Sequence, residues 1–342
     1  MAMAEKSYLD LKSEVWDTKK CSGCGACIAV CPADALSFAE GEMVVSPRSN
    51  GYCKQVNDSV PCGACYAVCP RTGDQPNETV GNYLEMFTAK ASFEIPHRQS
   101  GGAVTAILSD ALDSGLIDAV VTVTEDPWTL RPSSVVITKS DVLIQEAGSR
   151  YSWWVPLLAS LKEAAITRKY TKIAVIGVPC VVQAATRIRT SDNDLLRPYA
   201  KAIRLVIGLF CTETFDYAGL VQGKLEKKYA IALHEIKKLD VKGKLDILKQ
   251  DDTHLSIPLA DLEDTIRPGC RICTDFSSLG ADISAGSVGS PAGYTTMIIR
   301  SATGKGFVEN AVRNKKLMIE SGVDVAAIEK LAATKIRKNT SK

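Results

Sequence analysis

A chain of 342 residues with 46% apolar content is long enough for two folded domains, each with its own core, and too apolar for bulk disorder. Its 41 basic and 39 acidic residues give a net charge of +2, which carries no nucleic-acid signature, and no run of about 18 uncharged apolar residues marks a membrane span. Twelve cysteines in so long a chain, with no secretion signal at its start, argue for metal binding and against a disulfide scaffold.

Residues 1–85 read as a first unit. It lacks long periodic segments, so bound metal has to supply order that its small core cannot. Cys21-x2-Cys24-x2-Cys27-x3-Cys31-Pro32 is the bacterial ferredoxin run. Three thiolates on a tight loop wrap three corners of a cube. Gly23 and Gly25 leave bare amide N–H groups that can face sulfur, and the fourth cysteine reaches the other cluster. A second copy follows as Cys53-x8-Cys62-x2-Cys65-x3-Cys69-Pro70, with only its first interval enlarged. Crossed pairing places Cys21, Cys24, Cys27 and Cys69 around one 4Fe-4S cluster, and Cys31, Cys53, Cys62 and Cys65 around the other. The unit is thus expected to be an α+β two-cluster ferredoxin domain that moves electrons singly. Residues 74–82, polar with Pro and Gly, read as a linker.

Residues 86–342 read as an α/β domain with a mostly parallel sheet and a small antiparallel insertion. A helical stripe from Ala103 to Leu112 stops at Gly115, and Ile117 to Val123 reads as a buried strand. Pro156 opens a helix. Ile173–Ile176 and Ile203–Phe210 are strands, and Val181–Arg189 and Leu220–Tyr229 are helices. The short runs of 233–260 are the insertion. Residues 268–293, rich in Gly, Ser, Cys and Pro, form an ordered loop around a ligand, and the basic tail from Lys335 is a solvated, frayed end.

Two strands end alike, at Gly177-Val178-Pro179-Cys180 and Gly208-Leu209-Phe210-Cys211. Each sets a cysteine just past the C-terminal end of a strand, the edge where open α/β sheets bind ligands. Cys270-x2-Cys273 supplies two more. The four together make a third 4Fe-4S site, although a lone cysteine after an apolar strand is otherwise a buried core residue. No Rossmann glycine motif stands in a strand–turn–helix context. Ser100-Gly101-Gly102, opening the 103–114 helix, is the best seat for a diphosphate, with Arg98 adding charge. Its bland alternative is an N-cap at Ser100. Gly148, Ser149, Arg150 and Tyr151 could line a ring or phosphates. Trp153-Trp154 reads as core and interface, and His97, His234 and His254 as structural or surface residues.

These segments resemble the family of beta subunits of coenzyme F-420 hydrogenases and dehydrogenases. The resemblance rests on Arg98–Thr105, Ala147–Tyr151, Gly177–Cys180, Gly208–Cys211 and Arg267–Cys273 leading into Ala281–Ser284. With the fused ferredoxin unit it narrows to the input subunits of archaeal F-420H2 dehydrogenase complexes. It implies FAD, a coenzyme F-420 site and a cluster at Cys180, Cys211, Cys270 and Cys273. It further implies flavin contacts among Arg98, Ser100, Gly101, Gly102, Thr105, Gly148, Ser149, Arg150 and Tyr151. Hydride would pass from F-420H2 to FAD, and single electrons through three 4Fe-4S clusters to a membrane-bound complex or to ferredoxin, with no catalytic side chain. Arg150, Lys169 and Arg271 are candidates for the acidic tail of F-420. The expected location is cytoplasmic, peripheral on the membrane through partner subunits. The rival readings are a ferredoxin-dependent reductase of another substrate, such as a chlorophyll precursor, and a non-catalytic iron–sulfur protein.

Overall fold

The computed structural model describes residues 6–39, 46–148, 154–241 and 243–340. The first part is built of single turns. These are α1 (Tyr8–Leu11), α2 (Ala26–Ala29), the two-residue strands β1 (Leu36–Ser37) and β2 (Arg48–Ser49), α3 (Lys54–Asn57) and α4 (Ala64–Ala67). Such short pieces are marginal alone. Each of α2 and α4 follows a glycine with positive φ, Gly25 at 85° and Gly63 at 61°, which turns the cysteine loop into the helix. The two copies of the ferredoxin run therefore share a local shape.

The second part begins with β3 (Glu85–Ala91), α5 (Ala103–Asp113), β4 (Ala119–Glu125), β5 (Pro132–Ile137) and α6 (Ser140–Gln145). A helical stretch over 157–167 leads to β6 (Ile173–Gly177), α7 (Pro179–Thr190), α8 (Arg197–Ala202) and β7 (Ile203–Leu209). A wide helix over Ala218–Lys228 precedes β8 (Ile236–Val241), β9 (Lys244–Lys249) and β10 (His254–Pro258). The chain ends its described course with β11 (Ile283–Gly286), β12 (Thr295–Ile299), α9 (Ala302–Arg313), β13 (Leu317–Glu320) and α10 (Val325–Thr340).

Eight strands make one sheet in the order β13-β3-β12-β11-β7-β6-β4-β5. Only β4, β6, β7 and β11 run parallel, and the four outer pairings are antiparallel. The mostly parallel sheet expected from helix–strand alternation is thus a mixed one. Antiparallel strands reached through β-turns and loops, which alternation does not register, flank a parallel centre. The 233–260 segment is the expected antiparallel insertion, β10-β9-β8. Helices cover both faces: α5 and α9 pack on one, while α7, α8 and the 157–161 turn pack on the other.

The ferredoxin part is not tethered at a distance. Ala26, Ala29, Val30, Ala64 and Val68 lie in the same apolar core as Leu158, Leu161, Val181 and Ile188. The 74–82 segment is likewise pinned. Thr274 donates to Pro76 O, Ser277 to Thr79 O at 3.2 Å, and Arg300 to Val80 O and Asn82 O at 2.8 and 2.9 Å. Its backbone carbonyls are satisfied by side chains of the second part, so it is a pinned crossing and not a flexible joint.

Candidate metal centres and cofactor edge

The register sets one sheet edge as the place of interest. The parallel strands β4, β6, β7 and β11 all end there, and so do β3 and the start of β12, since Ala89 faces Thr295 and Gly286 faces Thr296. Cys180 follows β6 in the first turn of α7, and Cys211 follows β7. Adjacent strands are about 4.8 Å apart, so these two cysteines issue from neighbouring positions. Cys270 is brought alongside by backbone contacts: Phe215 bridges Ile266, and Arg267 N donates to Thr214 O at 3.1 Å. Thr214 presents its N–H to Cys270 Sγ at 3.5 Å, and Cys211 N donates to Phe276 O at 3.0 Å.

The twelve cysteines fall into three neighbourhoods. Cys27 feels the charges of Cys21, Cys24 and Cys69 most strongly, whereas Cys65 feels Cys62, Cys31 and Cys53. A cavity lined by Cys31, Cys53, Cys62 and Cys65 with Tyr8 and Leu36 lies at the second group. Cys211 feels Cys270 and Cys273, and Cys180 feels Cys273 and Cys270 after Cys24. Hence Cys24 and Cys180 are the point where the first and third groups meet.

Four thiols in each group is the number of protein ligands that a 4Fe-4S cluster takes. No three His, Cys, Asp or Glu side chains among the described residues gather tightly enough for one metal ion. Burial pushes Cys21 up to about 11 and Cys65, Cys69 and Cys211 up to about 12, so the free thiols stay protonated at neutral pH. Iron supplies the positive charge that makes such thiolates tenable. Sulfur also receives backbone donors: Gly23 toward Cys21, Ala26 toward Cys24 and Ala35 toward Cys31 at 3.3 Å.

Two arginines and a lysine near these sulfurs escaped the sequence reading. Arg71, 6% exposed, sits where the charges of Cys273, Cys180 and Cys270 all reach it, and these outweigh burial to hold its guanidinium firmly protonated. Its Nε finds no hydrogen-bond partner among the described residues. Arg267, 1% exposed, lies 4.1 Å over the Trp154 ring and faces Cys21 and Cys270. Lys335 is buried on α10, so the expected frayed tail is helical through Thr340. Burial opposes its charge, but Cys273, Cys211, Cys270 and Asp275 more than offset this. The signal was present: Lys335 follows Ile328 and Ala332 at i+7 and i+3 on one helical face, which a basic-residue count hides. Cys273 in turn is lowered, since Lys335 and Arg71 prevail over its burial.

The ferredoxin loop docks against this region without space to spare. Trp154 Nε1 donates to Gly23 O at 2.7 Å, which sets Trp154 between the two parts of the chain. Leu158 N donates to Cys24 O at 2.9 Å. A Cβ on Gly269 would stand 2.2 Å from Cys21 O. Gly23 and Gly25 therefore serve close approach as well as N–H geometry, with a Cβ on Gly25 falling 2.7 Å from Pro156 O.

The flavin candidates are placed in part. Ser100 Oγ donates to Tyr294 O at 2.8 Å and Gly101 N donates to Thr295 Oγ1 at 3.0 Å, which fixes the turn to β12. Ser100 is not the helix cap; that position is Gly102, with φ of 70° and no side-chain cap bond, so α5 opens with bare N–H groups. The donors fit an anion, and a Cβ on Gly101 would meet Ala89 O at 2.5 Å. Arg98 is exposed and Thr105 half-buried in the first turn. Gly148 has φ of 135°, and Ser149, Arg150, Tyr151 and Trp153 lie outside the described residues. Thr295 and Leu209 are two strands apart, about 10 Å. Lys169 is exposed and precedes β6, so it belongs to the opposite sheet edge and cannot serve the F-420 tail there. Arg271 pairs with Glu263. His97, His234 and His254 are all exposed.

Comparison with known proteins agrees with this arrangement. The N-terminal and C-terminal models of the family described as "Coenzyme F420 hydrogenase/dehydrogenase, beta subunit" match residues 86–162 and 170–325, and a 4Fe-4S binding domain matches 14–37. An uncharacterized protein of Methanocaldococcus jannaschii is 43% identical over 96% of this chain and 97% of its own. A component of the F(420)H(2) dehydrogenase of Methanosarcina mazei is 30% identical over 96% of this chain and 92% of its own. Among solved structures, a chain of the F420-reducing [NiFe] hydrogenase complex from Methanosarcina barkeri superposes with a TM-score of 0.71 at 31% identity, covering 78% of this chain and 92% of that one. The chain belongs to the family of coenzyme F420 hydrogenase/dehydrogenase beta subunits, and carries a 4Fe-4S binding domain at its N-terminal side.

Proposed function

We propose that this chain oxidises reduced coenzyme F-420 and delivers its electrons singly to a redox partner. The carrying observation is the shared strand-end edge: Gly101 N is fixed to Thr295 at the start of β12, and β7, which leads to Cys211, lies two strands or about 10 Å away. FAD, when bound, supplies the chemistry that joins a two-electron hydride donor to one-electron clusters. The α5 N-terminus and Gly101 orient its diphosphate, and Arg98 adds charge. Cys180, Cys211, Cys270 and Cys273 hold a third 4Fe-4S cluster, and the two crossed ferredoxin quartets hold the others. Arg71 and Arg267 neutralise the thiolates at the first and third sites and exclude water between them. No side chain at this edge is required as nucleophile or general base. The division at 85/86 then separates labour, not packing. The partner is a membrane-bound dehydrogenase complex or free ferredoxin, which would place the chain at the cytoplasmic side of a membrane.

The test is anaerobic purification with iron and flavin counted, followed by F-420H2 with a viologen dye. The proposal expects one FAD and about 12 iron atoms, four per cluster, and growth of the absorbance of oxidised F-420. Cys→Ala at 180, 211, 270 or 273 should each remove about four irons. Iron without flavin would leave a plain electron-transfer protein, and flavin without F-420 turnover would leave a reductase of another substrate.

A further inference from the structure

Helix α10 closes over the third cysteine quartet. Lys335 Nζ donates to Cys211 O and to Asp275 O, both at 2.7 Å. One turn on, Asn339 Nδ2 donates to Cys270 O at 3.0 Å and to Cys273 O at 2.6 Å. Lys338 pairs with Glu213 at 3.3 Å, two residues past Cys211. The preceding turns bury Ile328 and Ala332 against Phe276, with Phe210 beside them. One helix face thus fixes the backbone at three of the four cysteines and anchors itself on the residues next to them.

The ammonium at the centre is 6% exposed. The nearest carboxylate, Asp275, is already engaged by Ser278 N, Leu279 N and Gln183 Nε2. The largest negative charges that reach Lys335 are those of the Cys273, Cys211 and Cys270 thiolates, ahead of Asp275. A cluster held by these thiolates gains a further negative charge on reduction. A fixed cation in a water-poor site favours the state of greater negative charge.

We infer that α10 is the latch of the third quartet and that Lys335 is a positioning residue whose fixed charge raises the reduction potential of the cluster held there. This rests on the reading of Cys180, Cys211, Cys270 and Cys273 as ligands. Lys335 accordingly makes the third site the ready acceptor for electrons leaving the flavin edge.

The experiment uses the full chain, purified without oxygen, as wild type and as Lys335→Met, Lys335→Gln and Lys335→Arg. Iron is counted, and each cluster is followed by electron paramagnetic resonance in a mediated redox titration. In Lys335→Met, one midpoint should fall so that the reduced-to-oxidised ratio at fixed potential drops at least tenfold, about 59 mV for one electron. The other two midpoints should stay, and Lys335→Arg should restore most of the shift. If Lys335→Met sheds four irons, Lys335→Gln decides, because it keeps an N–H donor without the charge. Full iron with three unmoved midpoints in Lys335→Gln overturns the inference. Only two clusters in the wild type would overturn the ligand reading instead.

Discussion

Gly269→Ala is the sharpest probe of how the two parts of the chain meet. Gly269 precedes Cys270 and is buried against the start of the ferredoxin run. An added Cβ would stand 2.2 Å from Cys21 O, 2.6 Å from Cys21 C and 2.7 Å from Lys20 O. All three are backbone atoms, so no side-chain rotation relieves the clash. Ordinary carbon contacts begin near 3.5 Å, and one segment has to retreat by roughly 1 Å. Overpacking of this kind costs about 1–3 kcal/mol. At about 2–4 °C per kcal/mol in large domains, the transition should fall by roughly 2–12 °C.

The same retreat displaces Cys21, the leading thiol of the first quartet, and pulls on Cys270 in the third. Anaerobic melting read by cluster absorbance should show the loss, with iron released at lower temperature than in the wild type. A Gly269→Ala protein with unchanged melting and full iron would refute the close docking of the two parts at this point.

Two further substitutions test the packing from other sides. Gly306 is exposed in α9 and a Cβ there meets nothing within 4 Å, so Gly306→Ala should stabilise by about 0.5–1 kcal/mol through helix propensity; a lowered melting temperature would contradict the helix. Asp282 is buried and accepts from Arg189 at 2.7 Å, Val206 N at 2.8 Å and Ser301 Oγ at 2.8 Å, so Asp282→Asn should cost about 1–3 kcal/mol in chemical denaturation, and no cost would show the junction is not formed.

Sequence spacing made much of this site legible, and the reasons differ by residue. The Cys-x2-Cys runs are local, so the loop that holds Cys21, Cys24 and Cys27 is legible from adjacent residues. Cys180 and Cys211 were legible because two strands end in the same pattern. The charges between quartets were not. Arg71 stands directly after Cys69-Pro70, yet its burial depends on Gly269 and Gln183, far along the chain. Lys335 was hidden by its basic neighbours, although its period with Ile328 and Ala332 placed it on the buried face. The sheet centre followed from helix–strand alternation, but the outer antiparallel strands depend on long-range pairing such as Ala89 with Thr295.

The joint between the parts also decides how electrons could travel. A ferredoxin on a flexible tether would approach the flavin edge by diffusion of the domain, and its 74–82 segment would be free of contacts. Here Arg300 alone takes two carbonyls of that segment, and Tyr199 donates to Ala29 O at 2.7 Å from α8. Asn193 holds Cys62 O at 2.6 Å, and Lys162 holds Cys31 O at 2.8 Å. Both ferredoxin runs are thus fastened by backbone carbonyls of their own cysteines. The order of sites is then a matter of position. Cys24 and Cys180 belong to one apolar cluster, and Cys24 is the cysteine whose charge most affects Cys180, so the first quartet adjoins the third. The second quartet lies beyond it, beside exposed Tyr52, Val56 and Val60. On the proposed function, an electron that enters at the sheet edge has a path of fixed length through third, first and second quartets, and its rate should not change with solvent viscosity. Single-turnover reduction of the clusters in buffers of rising sucrose content measures this, and a rate that falls in proportion to viscosity would restore the swinging domain.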